Sequence, residues 1–398
     1  MGKVFGSSCL VAGTAIGAGM LALPMVLAPV GLCQAISLMI GVWILAYYSA
    51  LLGSELNLRA TTPLPIGALA RRFSGRKAEL IGQVSFMLLC YALLSAYLDG
   101  GSSILASLLH AIPDVPDSEP KTLLHIIAAG IGLLLLLSMK WIDYINRFLF
   151  TIMIGILILS MVVLMGLINP VIDISLVLQS GSPLILAKTL PIVFTSFGFQ
   201  IIFHTISAYL NMDATKIKCA FFFGSLVPAV LYIGWTVISL VFIASHQPEF
   251  FTILKTKSLD VGDFIYILSQ ASSFPALKLL AWILSVLAIF TSAIGVGLGL
   301  SHTWQALIKN RLCSIVLAVA PPYLVANQIP EAFIQALGFA GMTLVIIALL
   351  LPMYLLYQSD SIEGTYYKIL GNKLIRLLVV LVSMGIMLIE FFNLLKWL

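Results

Sequence analysis

The constraint that leaves this chain fewest options is a succession of apolar runs, each about twenty residues long, joined by short polar stretches from one end to the other. A run of that length crosses the hydrocarbon of a bilayer as an α-helix, whose backbone groups are all hydrogen-bonded internally. The runs fall near residues 5–29, 32–57, 79–109, 122–139 and 147–168, then 184–210, 217–244, 276–308, 312–327, 332–356 and 374–396. They predict an all-α integral membrane protein of about eleven transmembrane helices. The stretch from His246 to Phe274, with Asp260 and Asp263, reads as a long loop carrying a short helix.

Composition closes the soluble alternative. The chain is 61% hydrophobic and 9% charged, whereas soluble domains carry roughly a quarter charged residues. The net charge of +5 would suggest nucleic acid only if the cations shared one water-facing surface, and apolar spans separate them. Cys9, Cys33, Cys90, Cys219 and Cys313 show no CxxC spacing, so neither a metal site nor a disulfide framework is signalled. The expectation is a chain without cofactor, metal, nucleic acid or obligate protein partner, solvated by membrane lipid. Its apolar start resembles a secretory signal, but the spans that follow argue against cleavage.

Lys and Arg near span ends resist export, so their distribution sets the orientation. With the N-terminus in the cytoplasm, fifteen of the twenty-one cations fall inside, among them Arg59, Arg71, Arg72, Arg76, Lys216, Lys218, Lys309 and Arg311. The loop after the third span is acidic at Asp114, Asp117 and Glu119 and falls outside. The C-terminus is then periplasmic. Spans one to five (1–170) and six to ten (171–357) become units of opposite polarity, followed by one additional helix (358–398). Such an arrangement permits an inverted repeat, and interrupted helices at matching places in the two halves point to a transport site at mid-membrane.

Two such helices are present. The first span reads SSCLVAGTAIGAGMLALP, with Gly13, Gly17 and Gly19 at its middle and Pro24 beyond. Glycine weakens a helix by about 1 kcal/mol against alanine and lets the backbone unwind where another group approaches. Close packing through small residues is the other reading of the same glycines. The sixth span reads LPIVFTSFGFQIIFH, placing Pro191, Thr195, Ser196 and Gly198 inside lipid. Polar breaks in both equivalent helices favour transport, because non-helical backbone at that depth survives only against protein or a cavity. Free amides at the start of a half-helix can bind a carboxylate, and freed carbonyls can accept from an ammonium. The middle of both spans holds no Asp, Glu, Lys or Arg, which suits a zwitterion.

Other classes find less support. A membrane enzyme needs a nucleophile with its base, or clustered carboxylates or histidines, and the five histidines lie scattered over different spans. A channel is expected to repeat a filter motif or a ring of like charge. The string GxxxxGK[ST] of ATP-driven transport does not occur.

The strings VAGTAIGAGMLALP, LARRF, YALLSAY, NRFLF, PIVFTSFGFQ and TSAIGVGLGL together resemble the hydroxy and aromatic amino acid permease family, in particular its tyrosine-specific transport proteins. The resemblance runs over essentially the whole chain. It implies a leucine-transporter type of fold, five plus five inverted helices and one extra, in a bacterial inner membrane. It also implies secondary import of an aromatic amino acid, tyrosine foremost, coupled to protons by alternating access. Sodium-coupled transport of tryptophan or of a broader neutral range is the alternative. Carried over, Gly17, Ala18 and Gly19 offer amides to the substrate carboxylate. Ala15 with Phe194, Thr195 and Ser196 offers carbonyls or a hydroxyl to the ammonium. Phe197 and Phe199 flank the aromatic part, Tyr91 and Gln200 line the pocket, and His204 lies one turn beyond.

Two ion readings stay open. Ala288, Thr291 and Ser292 resemble the residues that hold Na⁺ in sodium-coupled relatives together with carbonyls at Gly13 and Ile16, yet such hydroxyls also bond their own helix one turn back. Met20 stands where those relatives keep an asparagine, so protons are favoured. Glu55 is either a proton carrier or a structural cap, and His204 either a proton relay or a histidine held by a neighbouring hydroxyl. Asp143 and Arg147, four apart, read as a positional ion pair.

Overall fold

Helices with apolar residues on every side need neighbours on one face and lipid on the other, and burial in this chain sorts along that line. The computed structural model describes residues 2–111, 119–168, 174–256, 259–271, 274–329, 332–359 and 366–395. Asp114, Asp117, Lys257, Lys396 and the boundary near residue 170 lie outside them. Within the described residues the secondary structure is entirely helical.

In chain order the α-helices are α1 (Gly2–Ala15), α2 (Gly19–Leu27), α3 (Leu32–Ala60), α4 (Ile66–Ser74), α5 (Arg76–His110), α6 (Pro120–Leu135), α7 (Met139–Leu167), α8 (Ile174–Leu178) and α9 (Pro183–Ser196). After a 3₁₀ stretch at Gly198–Ile202 come α10 (Phe203–Tyr209), α11 (Ala214–His246), α12 (Pro248–Thr256), α13 (Val261–Gln270), α14 (Pro275–Ile308), α15 (Arg311–Gln328), α16 (Ala332–Val345), α17 (Leu351–Gln358) and α18 (Lys373–Leu394). A π-helical turn, Ile346–Leu350, joins α16 to α17, and Pro352 follows it at the start of α17.

Among the described residues eight helical segments are long and apolar enough to cross a bilayer, or nine when the bent pair α1 and α2 counts as one span. Two further runs expected to span correspond to shorter or less apolar helices. The helix α6 has only 16 residues, and α15 contains Pro321 and Pro322 and ends on Asn327 and Gln328. Between His246 and Phe274 there are two short helices, α12 and α13, where the sequence suggested one. Asp260 caps α13 by accepting from the Val261 N–H at 2.6 Å. The expected Arg147 to Asp143 ion pair is present at 2.9 Å on the exposed side of α7.

The core is built by α5, α14 and α16. The helix α5 packs against α16, α14, α13, α15 and α6, and α14 packs against α7, α15 and α6. Around them, α1 lies on α11, α3 lies on α11 and α9, and α17 with the π-helical turn lies on α3. The helices α7 and α18 present exposed Phe148, Ile158, Val162, Leu374, Leu378 and Leu381 outward, as lipid-facing edges do. Close approach sets one seam: a Cβ on Gly224 of α11 would meet the Ser8 carbonyl oxygen of α1 at 2.7 Å.

Candidate functional site

The α1 helix ends because Ile16, Gly17 and Ala18 leave the helical path, and α2 resumes at an angle of 57°. The second interruption is gentler. The α9 helix stops at Ser196, Phe197 adopts φ −93° and ψ 34°, and the chain tightens into the 3₁₀ stretch before α10. Pro191 inside α9 lacks an N–H, so the run is already short of a helical bond one turn before the break.

The two breaks share one bridge. The Tyr232 hydroxyl of α11 reaches the Ala15 carbonyl at 2.5 Å and the Ser196 carbonyl at 3.1 Å, the last residues of α1 and α9. One phenolic proton thus serves two freed carbonyls. The Tyr232 ring is fully buried and meets Phe197 edge to face at 5.3 Å. On the other side of the first break, the Ala18 N–H donates to Ser292 Oγ of α14 at 2.9 Å. Ser196 Oγ donates to the Gly19 carbonyl at 3.3 Å and to Ile192 at 3.1 Å, so the breaks touch directly as well.

Glycine is required here by space. A Cβ on Gly17 would collide with Ser292 Oγ, and one on Gly19 would sit 3.1 Å from the Ser196 Cα. No acceptor among the described residues serves the N–H of Gly17 or of Gly19. These two donors, at the opening of α2, carry the partial positive charge of a helix start. Beside them stand the shared carbonyls of Ala15 and Ser196. The junction therefore offers donors for an anion and acceptors for a cation without a charged side chain.

The other sequence-nominated residues divide into those at the junction and those away from it. Phe194, Thr195, Ser196, Phe197 and Phe199 are buried around the second break. The Phe194 carbonyl accepts from Phe197, and Thr195 Oγ1 donates to Leu337 of α16 at 2.9 Å. Phe199 leans on Phe221 of α11 at 6.4 Å. Tyr91 lies elsewhere: its hydroxyl donates to the Leu317 carbonyl at 2.8 Å and accepts from Trp304 at 2.7 Å, tying α5 to α15 and α14. Thr291 donates to its own helix at Leu287, 2.8 Å away, and touches Met153 of α7, while Ala288 is fully buried. Gly13 faces Phe150 of α7, and the Ile16 N–H still bonds Ala12.

Glu55 has a structural setting. It is wholly buried, accepts from Arg59 Nε at 3.0 Å, and accepts from the N–H groups of Tyr366 and Tyr367 at 3.2 and 3.1 Å. Arg59 in turn donates to the Ser359 carbonyl and hydroxyl at 3.0 Å each. Burial, and then the Glu55 carboxylate, push the Tyr367 phenol above its ordinary range. On α3, Gly53 lies against the Phe203 ring at the start of α10, leaving no room for a Cβ.

Two cavities flank the junction. One, of about 400 Å³, is lined by Gly53, Phe86, Gln200, Phe203, His204 and Thr303 among others, on the face that carries Glu79 and Pro65. His204 bonds the Thr205 hydroxyl at 3.3 Å. The other, of about 570 Å³, lies at the opposite end of α9, between Met25, Lys188, Thr189, Lys255 and Phe333. Sequence reasoning missed Tyr232 and Ser292's bond to Ala18. A tyrosine in the middle of an apolar run carries no local signal that separates it from a packing aromatic.

A chain of several membrane-crossing helices, with two of them interrupted against each other between cavities at opposite ends, is a multi-pass membrane protein built for passage rather than for bond chemistry. Among the described residues no cluster of His, Cys, Asp and Glu could hold a metal ion. The chain belongs to the tryptophan/tyrosine permease family, whose profile matches residues 1–390. It is similar to tyrosine-specific transport system 1 of Haemophilus influenzae, 30% identical over 98% of this chain and 97% of the relative. System 2 of the same organism is also 30% identical, over 99% and 97%. Glutamine transporter 2 of Aliivibrio fischeri is 28% identical over 88% of each chain. Among solved structures, a mutant manganese transporter of Eremococcus coleocola superposes with a TM-score of 0.58 at 14% identity, covering 98% of this chain and 85% of its own, a likeness of fold alone. The family is one of permeases, and the chain is a transport protein rather than an enzyme.

Proposed function

We propose that the chain is a secondary carrier of aromatic amino acids in a bacterial inner membrane, with tyrosine its first substrate, working by alternating access and driven by protons. The observation that carries this reading is the junction of the two breaks. The Gly17 and Gly19 N–H groups suit a carboxylate, and the Ala15 and Ser196 carbonyls, held by one Tyr232 hydroxyl, suit an ammonium. The family name and the tyrosine-specific relatives support an aromatic cargo.

An inverted repeat of five plus five spans accounts for the packing. Exchanging each span with the fifth one after it maps seam onto seam. The pair α5 with α6 becomes α14 with α15, and α5 with α15 becomes α14 with α6. The pair α7 with α14 becomes α16 with α5, α1 with α11 becomes α9 with α3, and α7 with α11 becomes α17 with α3. One seam breaks the rule. The helix α16 packs along α9, whereas α7 and α1 form no comparable seam among the described residues. Such an inequality between halves is what alternating access needs, with one side sealed and the other loose. In this reading α6 and α15 complete the count of eleven spans, the N-terminus is cytoplasmic, and the Gln200 cavity opens to the cytoplasm beside Arg71 and Arg72.

Proton coupling is favoured because Ser292 Oγ is taken up by the Ala18 N–H, while Thr291 donates to its own helix as membrane-helix hydroxyls ordinarily do. His204, on the wall of the Gln200 cavity, is our candidate to relay a proton. The test is radiolabelled uptake into proteoliposomes under separate pH and sodium gradients, with tyrosine, tryptophan, phenylalanine and glutamine. Tyrosine accumulation driven by pH alone is expected. Accumulation that needs sodium overturns the coupling, and a preference for glutamine overturns the aromatic assignment.

A further inference from the structure

The second break ends in a side chain that the protein itself leaves unserved. Gln200 is 2% exposed, lies in the 3₁₀ stretch one turn beyond Ser196, and lines the cavity of about 400 Å³. Neither its Oε1 nor its Nε2 has a hydrogen-bond partner. On the same wall Ser49 donates to the Ala348 carbonyl at 2.5 Å, Thr303 to Gly299 at 2.9 Å, and Gln83 to Glu79 at 3.3 Å, while His204 meets the Thr205 hydroxyl through Nε2 and has no partner at Nδ1. The rest of the wall is apolar, with Phe86, Ile201, Phe203, Ile347 and Pro352. Burying a carboxamide unpaired is costly, and leucine would fill that space without the cost.

We propose that Gln200 is the residue that reads the side-chain hydroxyl of the transported amino acid, pairing its carboxamide with a phenol while the apolar wall takes the ring. The inference rests on the carrier reading above. With the zwitterion at the junction, the length of a tyrosine ring carries its hydroxyl past the break toward Gln200, which follows Ser196 by four residues in the 3₁₀ stretch. A phenol both donates and accepts, and so does a carboxamide. An indole only donates, leaving Nε2 unserved, and a benzyl group serves neither atom. A site with a buried polar group discriminates strongly against the analogue that lacks the partner.

The experiment compares wild type with Gln200→Leu and Gln200→Met. Uptake of tyrosine and phenylalanine is measured in proteoliposomes under one gradient, and thermal protection by each amino acid is measured in detergent. Wild type is expected to favour tyrosine by at least ~100-fold in kcat/KM. Both variants should bring the ratio below about tenfold, with phenylalanine uptake maintained and the ligand-free melting temperature at or above wild type. Variants that keep the tyrosine preference, in uptake or in thermal protection, overturn the assignment and leave the carrier reading standing. A drop in ligand-free melting temperature identifies a structural amide and also overturns it. Wild-type vesicles that accumulate no amino acid refute the carrier reading itself, and the Gln200 assignment falls with it.

Discussion

Replacing Glu55 with glutamine separates a structural anion from a proton carrier. The carboxylate accepts three hydrogen bonds, from Arg59 and from the Tyr366 and Tyr367 amides, and is the countercharge of a guanidinium whose side chain is only 2% exposed. Glutamine keeps one acceptor oxygen and turns an NH₂ group toward donors. It also leaves the Arg59 charge without its partner, although the Ser359 carbonyl and hydroxyl still accept from it. Breaking a buried ion pair from one side costs about 3–5 kcal/mol, a large share of a typical 5–15 kcal/mol stability. At about 1.2 °C per kcal/mol for a chain of this length, the melting temperature of purified Glu55→Gln in detergent should fall by roughly 4–6 °C. Arg59→Met should fall comparably, and the double variant Glu55→Gln, Arg59→Met should recover much of the loss, since the uncompensated charge is gone. The reasoning is refuted if Glu55→Gln melts within about 2 °C of wild type while its uptake loses pH dependence, the signature of a proton site.

Other perturbations address the junction. Gly17→Leu and Gly19→Leu should abolish uptake in protein that still reaches the membrane, as checked by immunoblot of membrane fractions, because any Cβ meets Ser292 or Ser196. Tyr232→Phe removes the donor shared by the Ala15 and Ser196 carbonyls, and a loss of about 1–2 kcal/mol should appear as a lower melting temperature and a five- to thirtyfold fall in kcat/KM. Replacing Thr291 and Ser292 by alanine should leave proton-driven uptake within about tenfold of wild type, since one lost interhelical hydrogen bond is worth about 1 kcal/mol. Strict loss together with sodium dependence would mark those hydroxyls as an ion site.

The helices and their interruptions were legible because their causes are local. Hydrocarbon admits helices of a fixed length, so apolar runs and the cations between them announce spans without reference to any partner. A backbone that leaves the helix needs glycine, proline or a hydroxyl at that very place, so Gly17, Gly19, Pro191 and Ser196 mark the breaks in the sequence itself. The marginal runs were less legible, since α6 and α15 are short or interrupted and depend on neighbours for their solvation.

Only the tertiary structure decided who serves whom. Ala15 is bridged by a tyrosine 217 positions away, and the Ala18 amide by a serine 274 away. Glu55 finds the Tyr367 amide across 312 positions, which gives a carboxylate in an apolar run a structural setting. Gln200 is polar in the sequence, but its lack of a protein partner exists only once every neighbouring helix is in place. Pattern reveals what a segment requires of its own backbone, whereas the pairing of buried polar groups depends on segments that meet in space after the chain has packed.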